Sequence, residues 1–513
     1  MSPIELSLLV SRALAVCNEM GAVLQHAAFS PNIKDRLDFS CALFDPSGAL
    51  YAQAAHIPVH LGSMAYAMAD IVEGIDWEPG DMLVVNDPFL GGTHLPDVTV
   101  VSPCFVDGEL VSFVANRAHH ANIGADTPGS MPISRTLEEE GVVIPPSLVY
   151  KRGKVVEEAM ARLRQLEGTD TFGDFAAQFS ACRVGVARLE GLVGALGVDA
   201  FTQGIVEIND YGERLALACL ADIPAGEYRF TDYLDDDGCG TEDIRIEVTI
   251  TVSANGIDVD FDGTSRQVDG NVNCPLSVAA AAVFYCFRCL LPDHAPSCAG
   301  TFRRVTLRAE PGTLVNAERP AATAAGNVET SMRIVDTVLG ALAQALPGQV
   351  PAASQGTMNN IAMGNHRSNH PWDYYETVGG GAGGHARAGG ASAVQSHMTN
   401  TLNTPIESLE MHFPVRIRRY EIRSGSGGDG ARRGGDGIVR EYEFLEPAEV
   451  TLLTERRRHA PWGLAGGAFG KRGRNLLDGS ELPPKCQRSV AAGQVLRVET
   501  PGGGGYGEPV PNI

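Results

Sequence analysis

Two β-branched runs meet at Asp107-Gly108, and this junction limits the fold of the chain more tightly than any other local feature. The first run spans Val98 to Phe105 and the second Glu109 to Asn116. Asp-Gly between two such runs is the strongest short hairpin signal, because a type I′ turn needs positive φ at both central residues. With Asp107 and Gly108 as the turn, Val106 lies opposite Glu109, Asp97 opposite Ala118 and Pro96 opposite His119. Opposed Cβ atoms stand about 5 Å apart and diagonal ones about 7–8 Å. The loop Asn86 to Asp97, carrying His94, therefore meets Arg117-Ala118-His119-His120 at the open end of the hairpin. Strict alternation places His94 with His119 on one face and Asp97 with His120 on the other. Pro96 interrupts the ladder close to that end.

Imidazole and carboxylate together suit Zn, Mn or Fe, and a carboxylate-rich shell favours Mn or Mg. Three protein ligands and one open position describe a catalytic rather than a structural metal site. The register nominates His94, Asp97 and either His119 or His120 as ligands. Asp87 is a further ligand, a base, or a carboxylate that orients a histidine. Arg117 can grip a carboxylate or phosphate with two parallel hydrogen bonds. A lone histidine is more often a satisfied polar residue; several converging with a carboxylate point to a metal.

The 513 residues leave room for two to four domains. Pattern changes suggest 1–150 with the hairpin, a helical 151–222, an α+β 223–350 and a glycine-rich, β-containing 351–513. The expected class is α+β. A net charge of -22 argues against nucleic acid or an anionic membrane as partner. The N-terminus has no basic segment before its apolar residues and carries Glu5, unlike a secretory signal. The apolar run Leu276 to Leu291 is too short to span a bilayer and contains Arg288. Eleven scattered cysteines suggest a reducing, cytoplasmic setting. Cys286 and Cys289 form a lone CxxC without the second pair a zinc ribbon needs, and read as buried thiols on a helix.

Helical spacing marks residues 3 to about 28, about 63 to 73, and two or three helices within 157–221. Asp38 to Phe44 reads as a strand, with a turn at Asp45 to Gly48. Gly226 to Phe261 has strand periodicity, with a turn at Asp235 to Gly240. Gly326-Asn327-Val328-Glu329-Thr330 precedes a helix from about Ser331 to Leu346. Its free N–H groups suit a substrate or an anion, with Asn327 and Glu329 as contacts; ordinary capping by Asn327 or Thr330 is the alternative. His60, beside Pro58, is a further candidate contact, as are His397 and Asn400 in the polar stretch His397 to Glu407. The glycine-dense segments after Gly379 lie between strand-like runs, which suits a solenoid-like or irregular β architecture. No nucleotide motif is present: Ala465 stands at the first P-loop glycine position and Arg472 follows Lys471. There is no GxSxG elbow.

The strings NDPFLGGTHLPDVTVVSPCF, RAHHANIG and PGSM resemble the hydantoinase B/oxoprolinase family. So do HIPVHLGSM (56–64), AAGNVETSMRIVDTVLGAL (324–342), QGTMNN (355–360), HMTNTLNTPIE (397–407) and TPGGGGYGEP (500–509). The resemblance runs nearly end to end. It implies the B-type component of an ATP-dependent cyclic-amide hydrolase that opens hydantoin, N-methylhydantoin or 5-oxoproline. It further implies a hydantoinase A-type partner that binds ATP in an actin-like fold and phosphorylates the carbonyl, so ATP is used through the partner in a hetero-oligomer. By motif position it assigns the divalent metal to His94, Asp97 and His119. That leaves His120, with Asp87 and Arg117, as candidate catalytic groups. The alternative within the family is a component of an ATP-dependent ketone carboxylase, of the acetone or acetophenone carboxylase type.

Overall fold

The Asp107-Gly108 pair does turn the chain, with φ of 52° and 85°. The computed structural model describes residues 1–54, 56–166, 171–367 and 370–509. In it the hairpin strands are Asp97–Val106 and Glu109–His119. Val106 faces Glu109 and Phe105 faces Leu110, as expected. The register then shifts, and Cys104 pairs with Ser112. From there the ladder runs to Asp97 opposite His119, not opposite Ala118. Val111 is the extra residue of a β-bulge. A bulge moves every side chain beyond it to the other face. The expected face assignment is therefore corrected: His119 shares the face of Asp97, and His120 points the other way.

The hairpin is the middle of a seven-stranded sheet. Its order is Leu50–Gln53, Phe39–Phe44, Glu109–His119, Asp97–Val106, Met82–Val85, Ser147–Lys151, Lys154–Val155. Every neighbouring pair is antiparallel, which places the protein in the α+β class. One face packs on the helices Pro3–Ala27 and Thr171–Leu196, burying Val98, Val100, Val114 and Ala118. The other face buries Val101, Phe113 and Ala115 beneath the helix Pro58–Val72. That helix starts at Pro58 rather than near Ser63, because proline fits the first turn, where its missing N–H is not needed. Of the described helices, Pro3–Ala27 is long and apolar enough to cross a membrane, by length and composition only.

Helix Pro58–Val72 packs in turn on helix Leu276–Arg288, and that on helix Ser331–Ala345. The middle helix is buried on nearly every side, which explains its run of Val278 to Val283 without a polar face. Beyond them lies a four-stranded sheet in the order Val305–Arg308, Gly256–Asp260, Glu242–Ser253, Gly226–Asp236. Ile244, Ile246, Val248 and Ile250 alternate inward from it. The 157–221 region forms three helices, Glu157–Gln165, Thr171–Leu196 and Val198–Leu220.

The C-terminal part is a sandwich and not a solenoid. A sheet of Trp372–Glu376, Asn360–Asn365, Ala448–Leu453 and Lys485–Val490 faces a five-stranded sheet built around Gly437–Phe444 and Val495–Glu499. Met363, Tyr374 and Leu452 meet Tyr442, Leu496 and Val498 between them. The glycine-dense segments lie beside this sandwich as backbones in direct contact. Gly503 donates to Gly435, Gly435 to Ala382, and Gly384 to Gly504, at 2.9, 2.8 and 2.8 Å. A Cβ on Gly503 would stand 2.0 Å from the Ala382 carbonyl oxygen, and one on Gly435 would stand 1.9 Å from that of Ala391. Glycine is required there by close approach, because only a bare backbone fits.

Gly503→Ala should therefore cost about 3 kcal/mol of stability, since the clash is with backbone that cannot rotate away. Gly191→Ala, in an open helical position with nothing within 4 Å, should instead gain about 0.5–1 kcal/mol. Thermal unfolding of the two variants reads the difference; equal midpoints would contradict the packing argument.

Candidate metal centre

Asp97 is the hub. Its Oδ1 lies 3.2 Å from His94 Nε2 and 3.2 Å from His119 Nδ1. Its Oδ2 accepts from Thr93 Oγ1 at 2.7 Å and from Asn327 Nδ2 at 3.1 Å, and lies 3.2 Å from His60 Nε2. All six residues are buried. Burial alone would raise the Asp97 carboxyl. The charges of His94 and His60, with hydrogen bonds from His119 and His60, outweigh it and hold the group well below the ordinary range.

The local sequence explains why these side chains are held so firmly. Asp87 caps a short turn, Pro88–Leu90, by accepting from Phe89 N at 3.0 Å. Gly91, at φ 100°, reverses the chain. The Asn86 amide donates to the Leu95 and Val142 carbonyls, and its oxygen accepts from Ile144 N. The loop is thus pinned at both ends before it delivers His94 and Asp97. His119 arrives on the neighbouring strand, and its ring stacks on Tyr375 at 4.7 Å and 11°. Arg36 lies 4.9 Å from the centre of the same tyrosine ring.

The donor set fits a divalent cation. One donor atom each from His94, Asp97 and His119 lies within 4.8 Å of the other two. The other nitrogen of His94, Nδ1, lies 3.1 Å from the Ala324 carbonyl. A carbonyl only accepts, so Nδ1 carries the proton and Nε2 of the neutral ring offers a lone pair. That lone pair faces a carboxylate oxygen at 3.2 Å in a dry site, and Nε2 has no hydrogen-bond partner. Two acceptors so placed call for a cation between them, either a second ring proton or a metal. Burial lowers His94, but Asp97 outweighs it and raises the ring, the same demand seen from the histidine. A cavity of about 20 Å³ adjoins the centre, lined by Asp38, His60, Asp97, His119, Asn327 and Tyr375 among others. It has room for one water or ion and not for an organic ring.

The remaining candidates separate clearly. Asn327 and His60 touch the hub directly. Asn327 sits in a π-helical turn, Gly326–Thr330, that runs into the following helix. The Asn271 carbonyl takes the Ala325 and Gly326 N–H groups, and the Thr330 hydroxyl bonds the Val272 carbonyl, so neither the expected anion nest nor a Thr330 cap forms. Glu329 accepts from Met358 N at 3.0 Å and Asn360 Nδ2 at 2.6 Å, and Asn360 Oδ1 accepts the Tyr375 hydroxyl at 2.6 Å. Burial pushes Glu329 up to about 7. His120 is on the far face, against Phe175, with Nε2 2.9 Å from Gln178 Oε1. Arg117 is committed internally, to Thr99, Ser63 and the Gly91 carbonyl, and burial pushes it down to about 10. Asp87 pairs with Arg319. His397 pairs with Asp336 at 3.2 Å, while Asn400 bonds the His56 carbonyl at 3.1 Å and helps tie its segment over the cavity. Asp38, Thr93, Glu140 and Tyr375 were not singled out from sequence. Of these only Thr93, inside the THLPD string, carried a local signal.

The hydantoinase B/oxoprolinase family model matches residues 2–509. The chain belongs to that family. Its relatives in the family include 5-oxoprolinase 1 of Arabidopsis thaliana, 39% identical over 98% of this chain and 42% of that protein. The chain thus spans about two fifths of the length of that relative. A Pseudomonas sp. protein, provisionally named as the B component of a D-/L-hydantoinase, is 32% identical over 99% of this chain and 90% of its own length. A crystal structure of the ATP-dependent caprolactamase from Pseudomonas jessenii superposes with a TM-score of 0.91 at 28% identity, covering 99% of this chain and 91% of that one.

His94→Ala and Asp97→Ala should remain soluble and lose metal, by at least the ~10–100-fold in affinity that even an outer contact costs. His294→Ala, exposed in a distant loop, should keep wild-type metal content. His120→Ala should also keep it, while losing about 1–3 kcal/mol of stability through the abandoned Gln178 bond. Elemental analysis decides: full metal stoichiometry in both His94→Ala and Asp97→Ala would place the site elsewhere.

Proposed function

We propose that this chain is the B-type component of an ATP-dependent cyclic-amide hydrolase, acting with a hydantoinase A-type ATP-binding partner in a hetero-oligomer. The observation that carries the reading is the buried convergence of His94, Asp97 and His119, in a chain whose nearest approach to a phosphate loop fails at Ala465 and Arg472. The names of its relatives, a 5-oxoprolinase and a hydantoinase B component, and of its structural neighbour, an ATP-dependent caprolactamase, support the substrate class. The 5-oxoprolinase relative carries more than twice this chain's length in one polypeptide, which leaves room there for a fused equivalent of the A-type partner.

His94, Asp97 and His119 would hold a divalent metal, Zn, Mn or Fe, with Asp38 the further carboxylate facing the same space. When bound, such a metal supplies a Lewis acid that polarises a carbonyl or acidifies a water. The chain's own residues do the rest. Asp97 organises both histidine rings, and Tyr375 holds the plane of His119. Thr93, His60 and Asn327 take up the outer Asp97 oxygen, which leaves the inner one to the rings of His94 and His119. The segment around Met398 to Asn400 covers the cavity through Val59 N to the Met398 carbonyl and Asn400 to the His56 carbonyl. A cyclic amide needs that segment displaced, since the present space holds one water or ion. Eleven free thiols support a cytoplasmic setting.

The test is ATP-dependent turnover of a panel of lactams, hydantoins, 5-oxoproline and small ketones, with and without the A-type partner. Ring opening that needs ATP, the partner and an intact His94 is the expected outcome. ATP hydrolysis by the partner-free chain would overturn the division of labour, and bicarbonate-dependent turnover of a ketone would assign the chain to the carboxylases instead.

A further inference from the structure

Glu140 is a fully buried carboxylate for which the proposed chemistry has no direct use. It ends the short turn Leu137–Glu140. Three donors converge on its Oε1: Thr323 N at 2.8 Å, Ala324 N at 2.9 Å and the Ser134 hydroxyl at 2.8 Å. The Thr323 hydroxyl lies 3.4 Å from Oε2. The surrounding backbone is tied as well, with Leu137 N donating to the Pro320 carbonyl and Thr136 bridged to Ala321. Glu140 and the three residues that donate to it are all buried. What the carboxylate grips is the one stretch of chain whose carbonyl, that of Ala324, lies 3.1 Å from His94 Nδ1.

We propose that Glu140 is a positioning residue for the metal centre: by clamping the Thr323 and Ala324 N–H groups it aims the Ala324 carbonyl at His94 Nδ1 and so selects the tautomer whose Nε2 lone pair faces Asp97. The inference rests on the reading that His94 is a ligand. Its physical basis is that the two ring nitrogens are linked: a bond accepted at one site by a carbonyl fixes the proton there and frees the other nitrogen. The peptide that carries this carbonyl is held on its far side by Ala325 N, which donates to the Asn271 carbonyl at 2.9 Å. On its near side the two preceding N–H groups are held by Glu140, so the peptide plane is fixed from both ends. Burial pushes this carboxyl up to about 7, consistent with a group kept for its geometry and not for its charge. A glutamine oxygen can accept from the same donors, and its amide can donate to the Thr323 hydroxyl.

The experiment compares wild type, Glu140→Gln, Glu140→Ala and His94→Ala by Co(II) titration, thermal unfolding and imidazole ¹⁵N spectra of the metal-free protein. Glu140→Gln should bind Co(II) within about threefold of wild type, whereas Glu140→Ala should bind about 10–100-fold more weakly. At a pH high enough to leave the ring neutral, the metal-free His94 signal, identified by its loss in His94→Ala, should show the Nδ1–H tautomer in wild type and Glu140→Gln, and a tautomer mixture in Glu140→Ala. If Glu140→Ala does not fold, Glu140→Asp replaces it, with the same expected loss because the shorter side chain cannot reach both N–H groups. Loss of Co(II) in Glu140→Gln equal to that in the truncated variant would make charge the active property and overturn the proposal. A wild-type tautomer and affinity in the truncated variant would overturn it too. Unchanged Co(II) binding in His94→Ala would instead overturn the metal reading, and the tautomer measurement would still judge Glu140 independently of it.

Discussion

The structure around the candidate site depends on one buried carboxylate. Asp97 lies wholly out of water, where an isolated negative charge is strongly disfavoured. It is tolerated because separate stretches of chain bring groups to it: Thr93 and His94 from its own loop, His119 from the next strand, His60 from a helix, and Asn327 from a turn well over two hundred residues away. Removing any one leaves the others facing uncompensated charge. The same convergence orders two imidazoles around a single oxygen, the donor set that would suit a divalent cation.

The fold supplies the rigidity that this arrangement needs. The seven-stranded sheet is sandwiched by helices on both faces, so the open end of its central hairpin is held from above and below. Tyr375, from the C-terminal sandwich, reaches across to stack on His119 while its hydroxyl is fixed by Asn360. The glycine bundle serves the same end at a distance. Backbones packed without side chains bring the segments after Gly379 together beside the sandwich, whose strand Trp372–Glu376 carries Tyr375. The site is therefore a product of the whole chain, although its candidate ligands His94, Asp97 and His119 come from the central hairpin and the loop before it.

Much of the secondary structure was legible because it follows from local patterns. The Asp-Gly turn, the strand Phe39–Phe44, the helical 157–221 region and the helix after Thr330 all appear where residue spacing put them. The register was legible only as far as the first two pairs. Beyond them the bulge at Val111 shifts the ladder, and no residue type announces it, since Val111 is an ordinary strand residue. That single inserted residue decided which of two adjacent histidines joins Asp97. His120 looked equivalent in sequence and is instead a core residue bonded to Gln178.

His94 and Asp97 were determined by the sequence itself: they lie three residues apart in a glycine-bent loop, and such proximity needs no tertiary information. So was the nearness of His119 and His120, because an Asp-Gly hairpin brings its own ends together. Tertiary structure alone decided the choice between those two, the recruitment of His60, Asn327, Asp38 and Tyr375, and the internal commitment of Arg117. The physical reason is range. Local sequence encodes dihedral angles and periodicity, whereas a buried charge is balanced by whatever side chains the packing of distant layers delivers to it, and those carry no shared pattern along the chain.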